Sequence, residues 1–487
     1  MVRLLKRLVF ICIILIVTPV IFFAITFFIV TSEPAPPNTS ATLVTDVTQL
    51  NQIKVDAAIQ PTSIEEISVL IKSHDGPISI GGARHSMGGQ IATEKALHLD
   101  MRKYNKILLL DTLKKEIRVQ TGITWRQIQE VIDRHNLSVQ IMQTYANFTV
   151  GGSLSVNVHG RYIGHGPIIH SVKSISIILA DGSLVEASPR QNADIFYGCI
   201  GGYGGLGVIV EATLQLTDNC KVERIDQHMT VDDYPNYFKT QIRNNESIIF
   251  HNADIYPNDY TDIHAVSYQK TEKPLTITDR LNPIDSNYKV ERFAIWLVSE
   301  FPRGKWLRQH VGDPLFFSSD QVKWRNYEAG HDAAELEPTS RKNSTYVLQE
   351  YFVPIDRFQS FVPTMAAILN QHHVNMVNVS VRHAKKDSLS VLSWARSEVF
   401  CFVLYYKQGT SESEQQEVGV WTRKLIDAAI SEKGSYYLPY QLHATKNQFE
   451  RCYNRIGDFI QLKKRLDPTN KFRNKFWDKY NPSANLK

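Results

Sequence analysis

The sequence predicts an α+β protein of two unlike domains behind an apolar N-terminal segment. Three observations carry that prediction. Residues 42–222 mix β-rich and helical runs, with glycine clusters at the ends of strands. Residues 223–440 are richer in Tyr, Phe and Trp and poorer in glycine clusters. Residues 8–31 carry no charge. With 487 residues, 43% of them hydrophobic, the chain is long enough to bury more than one core.

The N-terminal element comes first. "MVRLLKR" holds Arg3, Lys6 and Arg7, and "LVFICIILIVTPVIFFAITFFIVT" follows without a charge. At ~1.5 Å per residue a helix of that length spans about 36 Å, more than the roughly 30 Å of a bilayer core. It also exceeds the about 7–15 apolar residues of a cleaved signal peptide. Residues 1–31 therefore read as a cytoplasmic stub and an uncleaved transmembrane signal anchor, with Pro19 tolerated as a kink. No Lys or Arg follows until Lys54, so the rest of the chain is expected on the exoplasmic side, periplasmic or lumenal. "SEPAPPNTSA" over residues 32–41 reads as a linker.

In residues 42–222, "PTSIEEISVLIKSH" has Ser63 three residues before Glu66, a capping-box spacing, and Ile64, Ile67, Leu70 and Ile71 on one helical face. "GPISI" reads as a buried strand that runs into the first glycine loop. "KILLLD" and "EIRVQTGI" read as strands. "TWRQIQEVIDRHN" reads as a helix capped by Thr124 and Gln127. "SVKSISIILADGSLVEAS" reads as a hairpin turning at Asp181-Gly182. In residues 223–440, "YFVPIDRFQSFVPTMAAILNQHH" begins as a strand and continues as a helix, and "EVFCFVLYYKQ" is a strong strand. Residues 441–487 are helical up to Leu466 and break at Asp467-Pro468.

Net charge is +5, and no basic stripe is interleaved with aromatics, which argues against a nucleic-acid binder. The basic run "KKRLDPTNKFRNKFWDKY" reads as a solvated helical face. Cys12 lies in the apolar segment. Cys199, Cys220, Cys401 and Cys452 form no C-x-x-C, so no zinc site is expected. A disulfide among these four and buried free thiols both remain open.

Three glycine-rich stretches stand out, at 81–89 ("GGARHSMGG"), 151–160 ("GGSLSVNVHG") and 201–207 ("GGYGGLG"). Glycine lets the backbone approach a ligand closely, and successive N–H groups in such loops make anion-binding concavities. Three in one domain point to a long ligand with a diphosphate. The third satisfies G-x-G-x-x-G, but a helical run precedes it and a strand follows. That order is the reverse of the dinucleotide fingerprint and argues against a Rossmann site.

Five elements in order, "PISIGGARHSMGG", "TVGGSLSVNVHG", "ADGSLVEAS", "GGYGGLGVIVEATL" and "LKKRLDPTNKFRNKFW", make the chain resemble the FAD-binding oxidoreductases of the vanillyl-alcohol oxidase type. It is most similar to sugar-alcohol and aldonolactone oxidases and decaprenyl-phosphoribose oxidases. The resemblance covers nearly everything after the apolar segment. It implies a two-subdomain PCMH-type FAD domain over 42–222, a substrate or cap domain over 223–440, and a C-terminal segment over 441–487 that returns to the flavin. It implies FAD contacts from Gly81, Gly82, Ala83, Arg84, His85 and Ser86 in the first loop. It adds Gly151, Gly152, Ser155 and His159 in the second stretch, and Gly204, Gly207, Val208 and Ile209 in the third. His85 matches the histidine that many relatives bond to the flavin 8α-methyl; a hydrogen-bonding role near the diphosphate is the alternative. Asn147-Phe148 stands where some relatives carry a second attaching cysteine, so a single attachment is expected.

The implied reaction is hydride transfer from an alcohol carbon of a sugar, polyol or aldonolactone to flavin N5, and onward to oxygen or another acceptor. A base should take the hydroxyl proton, and histidine suits that task near neutral pH. His159 in "NVHGR" is the candidate base. Arg382 matches an arginine on the substrate floor. His443 falls near the position of a lysine close to N5. Relatives with a glutamate two residues before the arginine have Ser380 here instead. Glu350 and Tyr440 are weaker candidates, for which a core role is equally open. Val158 is bulkier than the Ala or Gly that some oxygen-using relatives carry, which leaves oxidase and dehydrogenase both open. A lipid-linked sugar substrate and a non-catalytic flavoprotein are the rival readings.

Overall fold

The computed structural model describes residue 18 and residues 20–32, 41–257, 259–284 and 287–481. The first glycine loop leaves a three-stranded parallel sheet, in which Leu97–Asp100 lies between Ala57–Ile59 and Ile78–Gly81. Parallel strands are covered on both faces, which is why "ISIG" reads as a nearly continuous apolar run. Helix Ile64–Ser73 covers one face, with Ile67 and Ile71 fully buried in a cluster with Ile78, Leu97 and Leu99. Only half of its expected capping box forms. Ser63 Oγ accepts from the Glu66 N–H at 3.1 Å, but the Glu66 carboxylate turns outward to the Thr62 N–H at 2.8 Å. The box at Thr124 and Gln127 is complete.

The second sheet is antiparallel, in the order Leu184–Ala187, Val172–Ile178, Val208–Asp218, Glu116–Gln120, Ile107–Asp111, with Leu137–Val139 on the far end of Val208–Asp218. The hairpin turns at Asp181-Gly182, where Gly182 takes φ +76°. The chain changes sheet between Asp218 and Lys221. From there an eight-stranded sheet runs in the order Val322–Trp324, Lys221–Thr230, Asp262–Lys270, Ile248–Ile255, Asn375–Ala384, Val399–Gly409, Ser344–Pro354, Ser435–Tyr436. Phe402 and Tyr406 point to helices Phe358–Gln371 and Glu412–Ser431, meeting Phe361 and Trp421. Alternation then sends Cys401, Val403 and Tyr405 to the opposite face.

The C-terminal segment forms helices Lys446–Cys452 and Ile456–Leu466 and breaks at Asp467-Pro468. Its basic run is not the solvated helical face that its charges predict. Lys463 is buried, and its ammonium donates to Gly205 O at 2.7 Å, Phe472 O at 3.0 Å and Asp467 Oδ2 at 2.8 Å. Phe472, Phe476, Trp477 and Tyr480 are buried beside it. The run is a strap over the third glycine stretch: Trp477 Nε1 donates to Gly202 O and Asn474 Nδ2 to Tyr203 O.

Residues 20–31 are helical, but among the described residues no helix is long and apolar enough to cross a membrane. Residues 1–17 and 19 of the expected anchor, and 33–40 of the linker, lie outside the described residues, so the structure gives the anchor no support. Cys199, Cys220, Cys401 and Cys452 are free thiols.

Burial holds several histidines neutral. His251, between Ser267 Oγ and Tyr234 Oη, is pushed down to about 3 by burial and then by nearby His383; His98 is pushed down to about 4 by burial and then by Arg84. The unfolded chain takes up these protons first, near pH 6.5, so stability present above that pH is lost as pH falls toward 4. The melting temperature is expected to drop steadily between pH 6.5 and 4, and less steeply in His251→Gln. A flat melting profile over that window would contradict this account.

Candidate active site

The three glycine stretches and the inner face of the eight-stranded sheet enclose one cavity, with about 1700 Å³ of atom-free space, part of it open to solvent. Gly81, Gly82, Ala83, Arg84, His85 and Ser86 line it, with Gly151, Gly152, Ser155, His159, Gly204, Gly207 and Ile209. Val208 does not; it is buried among Ile178, Val210 and Leu99 behind the wall.

The glycines are there for space. A Cβ at Gly82 would collide with Thr149 Oγ1, and one at Gly81 would lie 2.7 Å from the His98 ring. Gly204 adopts φ +66°, a conformation that a side chain disfavours. Gly82→Ala is expected to cost about 1–3 kcal/mol, the usual range for overpacking, and to lower FAD content on purification. Unchanged flavin occupancy and melting temperature in that variant would contradict the cradle.

Several buried polar atoms facing this region have no protein partner: Arg84 Nε, Thr144 Oγ1, Thr149 Oγ1 and Arg382 Nε. Buried polar groups are normally satisfied, so unpaired ones around a cavity mark a place for a polar ligand. Arg84 holds φ +64° and reaches Asp100 at 3.2 Å; Arg102 pairs with the same carboxylate, whose pKa falls to about 2 despite burial. These residues fit FAD: a long cleft, glycine-lined turns, and unpaired donors on Arg84 and Thr149 beside those turns.

His85 stacks on Phe148, with ring centroids 4.0 Å apart and planes 11° apart. Burial pushes its pKa down to about 4, so the ring is neutral and keeps a lone pair at neutral pH. Asn147, beside Phe148, is a latch between the domains. Its Nδ2 donates to Asp332 Oδ1 at 2.8 Å, and its Oδ1 accepts from the Ala333 N–H at 3.2 Å.

The other end of the cavity is built from strands. Side-chain alternation along Ser344–Pro354 sends Tyr346, Leu348 and Glu350 inward, alongside Val403 and Tyr405 of the next strand and Arg382 of the one after. His159 Nε2 donates to Glu350 Oε1 at 2.6 Å, and His159 Nδ1 lies 3.2 Å from Gly160 O. Both ring nitrogens thus face protein oxygens. The group held toward the cavity is the Glu350 carboxylate, whose Oε2 accepts from Tyr440 Oη at 3.2 Å.

His159 and Arg382 therefore meet in one cavity, and His443 does not join them. His443 Nε2 lies 3.1 Å from Gln441 Oε1, behind the wall, near Lys479 and Arg423, and burial followed by those two charges lowers its pKa to about 4. Tyr440 stands at the cavity in its place. Sequence reasoning missed Tyr145, Glu337, Arg341, Tyr346 and Tyr405, which line the outer half. The signal for Tyr346 and Tyr405 was the two-residue period of their strands.

Comparison with known proteins agrees with this geometry. Residues 55–188 match the FAD binding domain family, and residues 212–480 match the D-arabinono-1,4-lactone oxidase family. The chain is similar to the L-gulonolactone oxidase of Mus musculus, 22% identical over 440 residues, covering 86% of this chain and 94% of the mouse protein. It is 22% identical to that of Bos taurus over 433 residues, with the same shares. The D-arabinono-1,4-lactone oxidase of Yarrowia lipolytica is 30% identical over 163 residues, 32% of this chain and 31% of the yeast protein. With a cavity that fits FAD and a family match over more than half of its length, the chain belongs to the D-arabinono-1,4-lactone oxidase family and is an FAD-dependent oxidoreductase.

Proposed function

We propose that the protein oxidises a hydroxyl-bearing carbon of a small aldonolactone, or of a related sugar or polyol, passing the electrons to oxygen or another acceptor. The observation that carries this reading is the His159–Glu350–Tyr440 chain facing Arg382 in the FAD cavity. Bound FAD supplies the acceptor for the two electrons and the hydrogen of the substrate C–H bond. Glu350 accepts the hydroxyl proton at its carboxylate. His159 is a positioning residue that fixes Oε1, and Tyr440 fixes Oε2. Arg382, whose Nε has no protein partner, donates to a substrate oxygen and orients the ring.

Register supports a compensation for Ser380. Ser380 pairs with Val403, and Val403 pairs with Glu350, so all three share one cross-strand row. The carboxylate absent at 380 is supplied from the strand beyond. Turnover should be measured on L-gulono-1,4-lactone, D-arabinono-1,4-lactone and a series of polyols. Oxidation of at least one lactone is expected; inertness toward all of them, with flavin bound, would sink the reading.

His85 is the proposed attachment point for the flavin, through a ring nitrogen bonded to the 8α-carbon. After acid precipitation, flavin fluorescence should stay with the wild-type pellet and leave with the supernatant in His85→Ala. A colourless wild-type pellet would show that FAD is bound without the bond. Residues 8–31 are proposed as a membrane anchor that places the domain on the exoplasmic side. The uncharged run and the basic stub before it support that placement.

A further inference from the structure

Among the described residues, twelve of the nineteen exposed large apolar side chains fall in two segments, 20–29 and 284–316. Scattered singly, such side chains need no explanation; gathered, they mark an interaction surface. The two segments touch. The Phe23 ring packs on Phe293 and Phe301, and Phe27 packs on Phe293 at 5.3 Å.

Residues 304–317 form one continuous helix whose middle, Arg308–Gly312, is a π segment. There the Asp313 N–H reaches back five residues to Arg308 O. The wider turn puts Trp306 and Val311, five apart, on one face, and Leu315 follows four residues later. The inner side is tied to the sheet: Arg308 Nη1 donates to Val377 O at 2.9 Å, and Tyr256 Oη donates to Asp313 Oδ2 at 2.9 Å. The outer side is open, with Trp306 50%, Leu315 70% and Phe316 63% exposed. Exposed Arg303 immediately precedes it, and exposed Lys289 opens the preceding helix with Glu291 in the same turn.

We propose that this face is a seat for a phospholipid bilayer. The stripe would enter the acyl boundary, with Trp306 at headgroup level and Lys289 and Arg303 against lipid phosphates. A protein interface carries a polar rim around its apolar centre. Here the neighbouring helix presents Phe22, Ile25, Phe28 and Ile29 outward instead, and the sequence stays uncharged back to residue 8. Continuity with that segment is what selects lipid as the occupant. The seat also adjoins the cavity. Ser299 of helix Lys289–Glu300 is hydrogen-bonded to Tyr346 Oη at 2.8 Å, and Arg292 Nε donates to Glu337 O at 3.1 Å. Tyr346 and Glu337 line the outer half of the cavity, which the seat would bring to the membrane surface.

The test uses the full chain with Cys12→Ser and Cys220→Ser, bearing a bimane label at Leu315→Cys. A control carries the label at Leu113→Cys, an exposed turn of the FAD domain. The chain is mixed with vesicles of equal parts phosphatidylcholine and phosphatidylglycerol containing acyl-chain nitroxide lipid, and floated. The Leu315 label is expected to lose most of its fluorescence while the Leu113 label keeps its own. Val290→Cys, 70% exposed on helix Lys289–Glu300 in the same apolar segment, gives a second reporter should the first variant misfold, and is expected to be quenched alike. Floating chain with equal quenching on both domains overturns the seat and leaves the anchor standing. Chain that does not float overturns both, and neither result touches the oxidoreductase reading, which bound flavin and turnover report separately.

Discussion

Glu350→Gln is expected to lower kcat by about 10²–10⁴-fold, the usual contribution of a positioned general base, with FAD still bound. The amide keeps the shape and can still hydrogen-bond, so packing changes little, but it cannot accept the hydroxyl proton. The carboxylate is buried, with Oε1 on His159 and Oε2 on Tyr440, and no other cavity carboxylate is held in this way among the described residues. His159→Ala should give a smaller loss, because the carboxylate remains and only its aim is released. His159→Gln, whose amide can still donate to Oε1, should restore part of the lost kcat with KM unchanged; a merely structural histidine would not tie kcat to that one donor. Full activity in Glu350→Gln would send the proton elsewhere and remove the proposed mechanism.

Lys463→Met is expected to cost about 3–5 kcal/mol of stability, the penalty for stranding the partner of a buried ion pair. Against a total of about 5–15 kcal/mol that is a large share. Asp467 is buried beside Lys463 and also accepts from the Lys471 and Phe472 N–H groups, so its carboxylate would stay in place without a counter-charge. The Gly205 carbonyl would lose its donor at the same time, loosening the third glycine stretch and releasing flavin. Lys463→Met combined with Asp467→Asn should recover part of the loss, because no unpaired charge remains. Denaturant melts of the wild type, the two single variants Lys463→Met and Asp467→Asn, and the double variant check this. A loss below about 1 kcal/mol in the single variant, as for an exposed pair, would contradict the buried arrangement.

Much of the FAD half was legible because its signals are local. Glycine spacing, the Thr124–Gln127 box, the Asp181-Gly182 turn and the strand before the first loop each act within a few residues. The substrate half was less so. Glu350 owes its place to a register that runs through Val403 to Ser380, across strands separated by tens of residues, and nothing near Glu350 in sequence encodes that. His443 and Tyr440 lie three residues apart in a stretch without regular structure, where no period says which side chain turns inward. Lys463 looked solvated because its neighbours are basic; one of its three acceptors, Gly205, comes from elsewhere in the fold, and Phe472 comes back to it only after the break at Asp467-Pro468. Glu66 shows the limit of a spacing rule: the residue is in place, and the Thr62 N–H competes for it.

Electron transfer from substrate to flavin is tested by anaerobic mixing of the purified full chain with L-gulono-1,4-lactone or D-arabinono-1,4-lactone, followed at the visible flavin absorbance. At least one lactone is expected to bleach the wild-type protein, Glu350→Gln to bleach far more slowly, and an admitted electron acceptor to restore the colour. A flavin that dithionite bleaches but that no aldonolactone, sugar or polyol reduces would contradict it.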